Sequence, residues 1–160
     1  MRIVIIAIGR LKAGPERELL QRYVKRFDGL GRGIGMGSLS LVEISESKAG
    51  NETVRKREEA KELLSKVPAG ATLIALDETG SALSSIGLSD KVGSLRDAGT
   101  ATLVCAIGGP DGHGQSLLEA AQLRLSLGPM TLPHGLARVV LAEQLYRSAT
   151  ILAGHPYHRA

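Results

Sequence analysis

The last third of the chain, Leu103 to His158, limits the fold more than any other stretch. It opens with the apolar run Leu103-Val104-Cys105-Ala106-Ile107, which breaks at Gly108-Gly109-Pro110-Asp111-Gly112. A short helical segment and an alternating strand, Leu123-Arg124-Leu125-Ser126-Leu127, follow, and then a second loop, Gly128-Pro129-Met130-Thr131-Leu132-Pro133-His134. A long apolar helix runs from Gly135 to about Ala153, and the chain closes on Gly154-His155-Pro156-Tyr157-His158-Arg159. Two strand-to-loop exits lie here and a third lies at Leu76. Together they read as the rim of one crevice, of the kind that opens beyond the carboxyl ends of parallel strands in open α/β sheets.

The rest of the chain supplies that sheet. Arg2 to Ile8 is a continuous apolar run, as expected of a strand covered on both faces. Gly9-Arg10-Leu11-Lys12-Ala13-Gly14 follows it without the Gly-x-Gly-x-x-Gly spacing of a dinucleotide site, so a nucleotide site at the first strand is disfavoured. Pro15 starts a helix whose apolar face is Leu19, Leu20, Tyr23, Val24 and Phe27. Its Arg17, Arg22, Lys25 and Arg26 read as a solvated face. The recurring glycines from Asp28 to Gly37 lack the Gly-Lys-Ser/Thr ending of a phosphate loop and read as a flexible connection. Leu39 to Ile44 is the second strand, and Ser45 to Asn51 a mobile loop. Glu52 to Val67 is a helix with a charge-laced solvent face. Thr72 to Leu76 is the third strand. Asp77-Glu78-Thr79-Gly80 leaves its carboxyl end, and two neighbouring carboxylates on extended chain point to opposite sides, which suits neither metal binding nor acid–base work. Ser84 or Ser85 caps a helix running to Arg96, and Thr100 to Ile107 is the fourth strand. The expected fold is α/β, a mostly parallel sheet flanked by helices, with residues 1–160 as one domain.

Composition narrows the chemistry. One Phe, three Tyr and no Trp leave few stacking platforms for RNA, and the net charge of +4 favours an anionic partner without demanding one. The single cysteine, Cys105, excludes an internal disulfide, argues against structural zinc and reads as a buried, inert thiol. Met1 to Ile8 is too short to span a membrane, and no other segment does so; a soluble, cytoplasmic protein is expected. His155 and His158 are split by Pro156 and lack clustered carboxylates, so no metal is expected.

Two constellations remain. Gly108-Gly109 after a strand lets a ligand approach the backbone, and alone is an ordinary strand-to-helix turn. Paired with the loop from Leu127 to Leu132 it gains weight: two such loops can offer backbone N–H and C=O groups to an adenine edge while Leu76, Leu127, Met130 and Leu132 cover its faces. The last helix is apolar nearly all round through Leu136, Val139, Val140, Leu141, Leu145, Ile151 and Leu152, so it must be buried, and a partner subunit is a natural cover for its second face. Glu143 and Arg147 on it stand in the favourable order for an i,i+4 ion pair, a plain structural alternative to any catalytic role.

The segments Ile107-Gly108-Gly109-Pro110-Asp111-Gly112, Met130-Thr131-Leu132-Pro133-His134, Arg138-Val139, Glu143-Gln144-Leu145-Tyr146-Arg147 and His155-Pro156-Tyr157-His158 stand in this order. Together they resemble the bacterial large-subunit ribosomal RNA pseudouridine N3-methyltransferases, the RlmH family, of the SPOUT class. The resemblance covers nearly the whole chain and is weakest from Asp28 to Asn51. It implies an α/β knot with a C-terminal trefoil, a homodimer with active sites completed across the interface, and ribosomal RNA or the ribosome as partner. It implies S-adenosyl-L-methionine as cofactor, held by Leu76, Gly108, Leu127, Gly128, Pro129, Met130, Thr131 and Leu132. Pro129 departs from a loop that donates at every position, because it carries no N–H. For catalysis it points to Glu143, Tyr157 or His158 as proton acceptor or relay. Arg138, Arg147 and Arg159 would hold phosphate or developing charge, and His134 and His155 would join Arg147 and Arg159 in binding substrate. The tail is expected to order over the active site when RNA arrives. A SPOUT enzyme for another ribosomal or transfer RNA position, or a non-catalytic RNA-binding or assembly factor, are the alternatives that the sequence leaves.

Overall fold

A computed structural model describes residues 1–159 of the chain. The elements are β1 (Arg2–Ile8), α1 (Pro15–Gly31), a 3-10 turn (Arg32–Ile34), β2 (Leu39–Ile44), α2 (Glu52–Ser65), β3 (Thr72–Ala82), α3 (Ser85–Asp97), β4 (Thr102–Ile107), α4 (Gln115–Ala120), β5 (Leu123–Ser126) and α5 (His134–Leu152). The five strands form one parallel sheet in the order β2-β1-β4-β3-β5. Every residue of β4 is buried, as its lack of polar alternation demands. Each large aliphatic side chain there contributes about 1.5–3 kcal/mol by leaving water.

Two apolar layers sandwich the sheet. Ile3, Ile5, Leu103 and Cys105 face Leu20 and Phe27 of α1, Leu88 and Val92 of α3 and Leu141 and Leu145 of α5. Ile6, Ile8, Val104 and Ala106 face Ala60 and Leu63 of α2 and Leu117 of α4. Cys105 lies inside the first layer, and burial pushes its thiol up to about 12. Local signals account for the helix starts. Pro15 opens α1, Asn51 accepts from Val54 N to cap α2, and the Ser84 hydroxyl accepts from Gly87 N to cap α3.

Two expectations change. The glycine-rich stretch after Asp28 is ordered: α1 continues through Gly29 to Gly31, the 3-10 turn follows, and Gly35 reverses the chain at φ 73°. Gly31 is needed for close approach, since a Cβ there would lie 2.7 Å from the Met36 carbonyl oxygen. The apolar faces of α5 are also covered in large part within the chain, with Leu136 exposed and Val140, Ile151 and Leu152 half-buried. The helix lies between α1 and α3, and ten of its residues are buried without a partner subunit.

Candidate active site at the carboxyl ends of three strands

Sheet order places β3 between β4 and β5, so the three exits foreseen at Leu76, Ile107 and Leu127 converge. Their loops enclose a cavity of about 710 Å³, within the roughly 300–1,000 Å³ usual for small-molecule sites.

The first wall is a bulge. Leu76 and Ser81 both pair with Leu125, so residues 77–80 leave the ladder between them. Asp77 accepts from Thr79 N at 3.2 Å and Thr79 Oγ1 at 3.0 Å, closing a side-chain turn. Gly80 brings the chain back against β5; a Cβ there would sit 2.5 Å from the Arg124 carbonyl oxygen. The third strand therefore does not end at Leu76: Asp77 and Glu78 lie within β3, in the part that leaves the ladder with β5. Both line the cavity, with Thr79.

The glycine loop is the second wall. Gly109 and Gly112 form an antiparallel bridge, and Asp111 takes two hydrogen bonds from Arg55 of α2, at 2.7 and 3.3 Å. Those bonds hold the Asp111 carboxyl below its ordinary range. Glu59, one turn further along α2, is 5% exposed, and its Oε1 accepts from Ser47 N. Its Oε2 has no hydrogen-bond partner among the described residues, and a Cβ on Gly109 would lie 2.9 Å from it. Burial pushes the Glu59 carboxyl up. The charged helix is thus more than a solvent face: Arg55 and Glu59 buttress the loop, and Lys56 lines the cavity. His113 closes this wall, buried, with Nε2 3.2 Å from the Ala106 carbonyl oxygen. A carbonyl only accepts, so Nε2 carries the proton. Burial lowers the pKa of the ring and keeps it neutral.

Leu127, Gly128 and Met130 to His134 form the third wall. Gly128 has φ 118°, which favours glycine, and its N–H donates to Ser126 Oγ at 3.1 Å. Of the residues expected to hold a cofactor, Leu76, Gly108, Leu127, Gly128, Met130, Thr131 and Leu132 line the cavity; Pro129 is not among the lining residues. Sequence reasoning missed Lys56, Asp77, Glu78, His113 and Arg124 as wall residues. A histidine between glycines directly after the loop, His113-Gly114, was the one legible signal.

The other expected residues divide along α5. At its start Arg138 is wholly buried: Nη1 donates to Glu43 at 2.9 Å, and Nη2 donates to the carbonyls of Ile8 and Gly9, each at 2.8 Å, and faces His134 Nδ1 at 3.3 Å. Glu43 also takes hydrogen bonds from Leu11 N and Arg17. A guanidinium with no exposed surface is out of a phosphate's reach, so the geometry gives Arg138 a different part from the expected one. It fastens the start of α5, and His134 at the cavity rim, to the carboxyl end of β1.

Midway along α5, Glu143 takes hydrogen bonds from Gln144 Nε2 (2.7 Å), Arg147 Nε (3.0 Å) and Nη2 (2.5 Å), and the Tyr157 hydroxyl (3.0 Å). Tyr157 packs on Tyr146 at 4.8 Å between centroids, Tyr146 lies 6.1 Å from Tyr23, and the Arg147 guanidinium sits 4.8 Å over the Tyr157 ring. Burial, then Tyr23 and Glu143, keep the Tyr157 phenol well above its ordinary value, so it stays protonated. Arg147 Nη1 faces His158 Nδ1 at 3.4 Å. The tail docks on Tyr146, Arg147 and Glu143 of its own α5. The three tyrosines, two arginine contacts and a carboxylate hold it. His155 and Arg159 remain exposed.

None of the tail residues lines the cavity. Along the helix axis, His134 and the Glu143–Arg147 turn are about 14–20 Å apart. No helix among the described residues is long and apolar enough to cross a membrane, and no group of three or more His, Cys, Asp or Glu there could hold a metal.

The family described as "Predicted SPOUT methyltransferase" matches residues 1–158. Relatives matched over nearly the whole of this chain carry the name ribosomal RNA large subunit methyltransferase H. One from Brucella anthropi is 51% identical with both chains fully covered. One from Chelativorans is 55% identical, with 99% of this chain and 91% of the relative covered. Among solved structures, the SpoU methyltransferase AviRb from Streptomyces viridochromogenes, in complex with the cofactor AdoMet, is similar at a TM-score of 0.44 and 13% identity, over 96% of this chain and 61% of that one.

Proposed function

The chain belongs to the SPOUT methyltransferases, among the ribosomal RNA large subunit methyltransferases H, and from that premise we propose that it methylates N3 of a pseudouridine in 23S ribosomal RNA. The observation that carries this reading is the cavity where β4, β3 and β5 end. It combines apolar walls, at Leu76, Leu127, Met130 and Leu132, with a glycine loop whose backbone a ligand can approach. That combination fits the adenosine of S-adenosyl-L-methionine, and Asp77 and Glu78 fit its ribose hydroxyls or its cationic end. Bound there, the cofactor would supply a methyl carbon; N3, its proton lost to solvent water, would take that carbon with its own electron pair, and the carbon–sulfur pair would stay on sulfur as a neutral thioether. The protein positions both reactants, which can supply much of such a rate. Arg147 and Arg159 face the RNA, with His155 beside them.

The same reading makes the enzyme a homodimer acting on ribosomes in the cytoplasm, with residues 1–160 as one domain and the C-terminal trefoil knot of its class. Support for the dimer comes from separation rather than from the apolarity of α5. The tail cluster lies too far along α5 to serve the cavity of its own chain, whereas the tail of a second copy can reach it. Met130, Leu136, Leu83 and Ile86 remain exposed as apolar surface for that copy.

The test is incorporation of labelled methyl groups into ribosomes from a strain lacking this enzyme, followed by mapping of the modified nucleoside. The expected product is one N3-methylated pseudouridine in 23S RNA. A methyl group on another base or on transfer RNA would contradict the assignment.

A further inference from the structure

Two side chains of α2, one helical turn apart and so on the same face, each hold two segments at once. Arg55 donates from Nε and Nη2 to Asp111 of the glycine loop, at 2.7 and 3.3 Å, and from Nη1 to the Ala49 carbonyl oxygen at 3.1 Å. Glu59 accepts from Ser47 N at 3.0 Å through Oε1. Its Oε2 lies against Gly109, where a Cβ would come within 2.9 Å of it and 3.1 Å of Ile8 Cγ2. Ser47 Oγ in turn accepts from Ala49 N at 3.2 Å. Residues 45–51, read from the sequence as a mobile loop, are therefore tied to the glycine loop at two points, across the helix.

The ties do not yield independently. Glu59 is 5% exposed, so losing Ser47 N leaves a buried carboxylate with no donor among the described residues, which costs the full desolvation of that group. The space that a side chain at position 109 would take is filled by the same carboxylate. Gly108 to Gly112 line the cavity, and so does Lys56, which stands between the two bridging residues in sequence. Residues 45–51 follow β2 at the carboxyl edge of the sheet, where the cavity also opens, with Ser45, Glu46, Lys48 and Gly50 exposed.

We propose that Arg55 and Glu59 are positioning residues that couple the cofactor loop to residues 45–51, so that S-adenosyl-L-methionine bound at the glycine loop steadies this exposed segment. The inference rests on the reading of the cavity as the cofactor site. Neither side chain lines the cavity; each acts through the loop it holds. By linkage the coupling runs both ways: an RNA contact that fixes residues 45–51 tightens cofactor binding by the same factor.

Hydrogen exchange of the parent protein, with and without the cofactor, reads the coupling directly. The Ser47 and Ala49 amides are expected to slow at least about tenfold at a cofactor concentration of about 100 times Kd, where full linkage gives about 100-fold. The turn at Ala98 to Thr100, at the opposite edge of the sheet, stays unchanged. Arg55→Met and Glu59→Ala should abolish the slowing. Glu59→Gln keeps the shape and an oxygen for Ser47 N, and should retain it. Gly109→Ala should weaken cofactor binding at least about tenfold in the parent, yet add less than about threefold to the loss in Glu59→Ala, because the space is then free. Losses that add in full, slowing that survives Arg55→Met, or parent amides that ignore the cofactor would each overturn the proposal. Should Glu59→Ala fail to fold, the parent and Arg55→Met still decide. A parent that binds no S-adenosyl-L-methionine in calorimetry would instead sink the reading of the cavity, and the coupling with it.

Discussion

The two ends of α5 solve different problems with different materials. At its start the cavity is shaped by backbone: a glycine loop, a bulge returned by Gly80, and a loop turned at Gly128, with both apolar and polar side chains on its walls. Farther along the helix the structure is all side chain: a carboxylate, a guanidinium, tyrosines packed at a tilt and a histidine. A backbone site recognises its ligand by shape and depends on the fold staying closed around it. A side-chain network depends on which protons its members carry. Arg138 and Arg147 are the matching pieces, each pairing a glutamate, but the first is wholly buried and the second a quarter exposed.

That contrast ranks the expected effects of mutation. Arg138→Ala removes the buried partner of Glu43, which keeps only Arg17 and Leu11 N, and leaves the Ile8 and Gly9 carbonyls without their donor; losing such a buried partner costs about 3–5 kcal/mol. Thermal melting should show it, at roughly 2–4 °C per kcal/mol for a chain of this size. An unchanged melting temperature would mean that the start of α5 is held by something else. Deleting Tyr157 to Ala160 leaves the backbone site alone, so methyl transfer should fall by about 10²-fold or more while cofactor affinity by calorimetry stays unchanged. A tail that also carries cofactor affinity would merge the two ends. Gly108→Val acts in the opposite sense. Its Cβ would sit 3.0 Å from the Gly112 carbonyl carbon and 3.2 Å from His113 Nδ1, so cofactor affinity should drop about tenfold or more, each tenfold being 1.4 kcal/mol, with the tail network intact.

The smallest effect concerns pH. Burial raises the Glu59 carboxyl in the folded chain above its unfolded value. The folded state therefore holds that proton more tightly, and the contribution is fully present below the unfolded pKa and lost as pH rises through the folded one. Glu59→Gln should remove this slope, so stability from denaturant titration should fall less between acid and neutral pH than in the parent. Asp111, held down by Arg55, works with the opposite sign: its contribution is present above the unfolded carboxylate pKa and fades on acidification.

Much of the backbone end was legible in the sequence. An apolar run ending at paired glycines, a second loop after an alternating strand, and an exit near Leu76 were enough to foresee one crevice. The bulge was not, because it exists only through the register of β3 on β5, with Leu76 and Ser81 sharing Leu125. Nor was the support from α2, where Glu59 reaches Gly109 across the space between a helix and a loop. The seat of the tail was not legible for a similar reason. A polar terminus usually frays, but here Tyr146 and Tyr23, from the helices at opposite ends of the chain, build a seat for Tyr157. The glycines near Gly31 read as a flexible linker because local propensity disfavours helix there, and packing against Met36 overrides it.

The central claim is that the backbone end of one chain works with the side-chain end of another. Complementation measures this directly: Gly108→Val and the chain lacking Tyr157 to Ala160 are each assayed alone, then unfolded, mixed in equal amounts and refolded together. In random two-fold dimers half of the molecules are mixed, and each mixed dimer pairs one intact cavity with one intact tail, so the mixture should regain about a quarter of parental methyl transfer. If each cavity is served by the tail of its own chain, no mixed dimer holds an intact site. A mixture that stays as inactive as its two components, with mixed dimers confirmed by mass, would contradict the account.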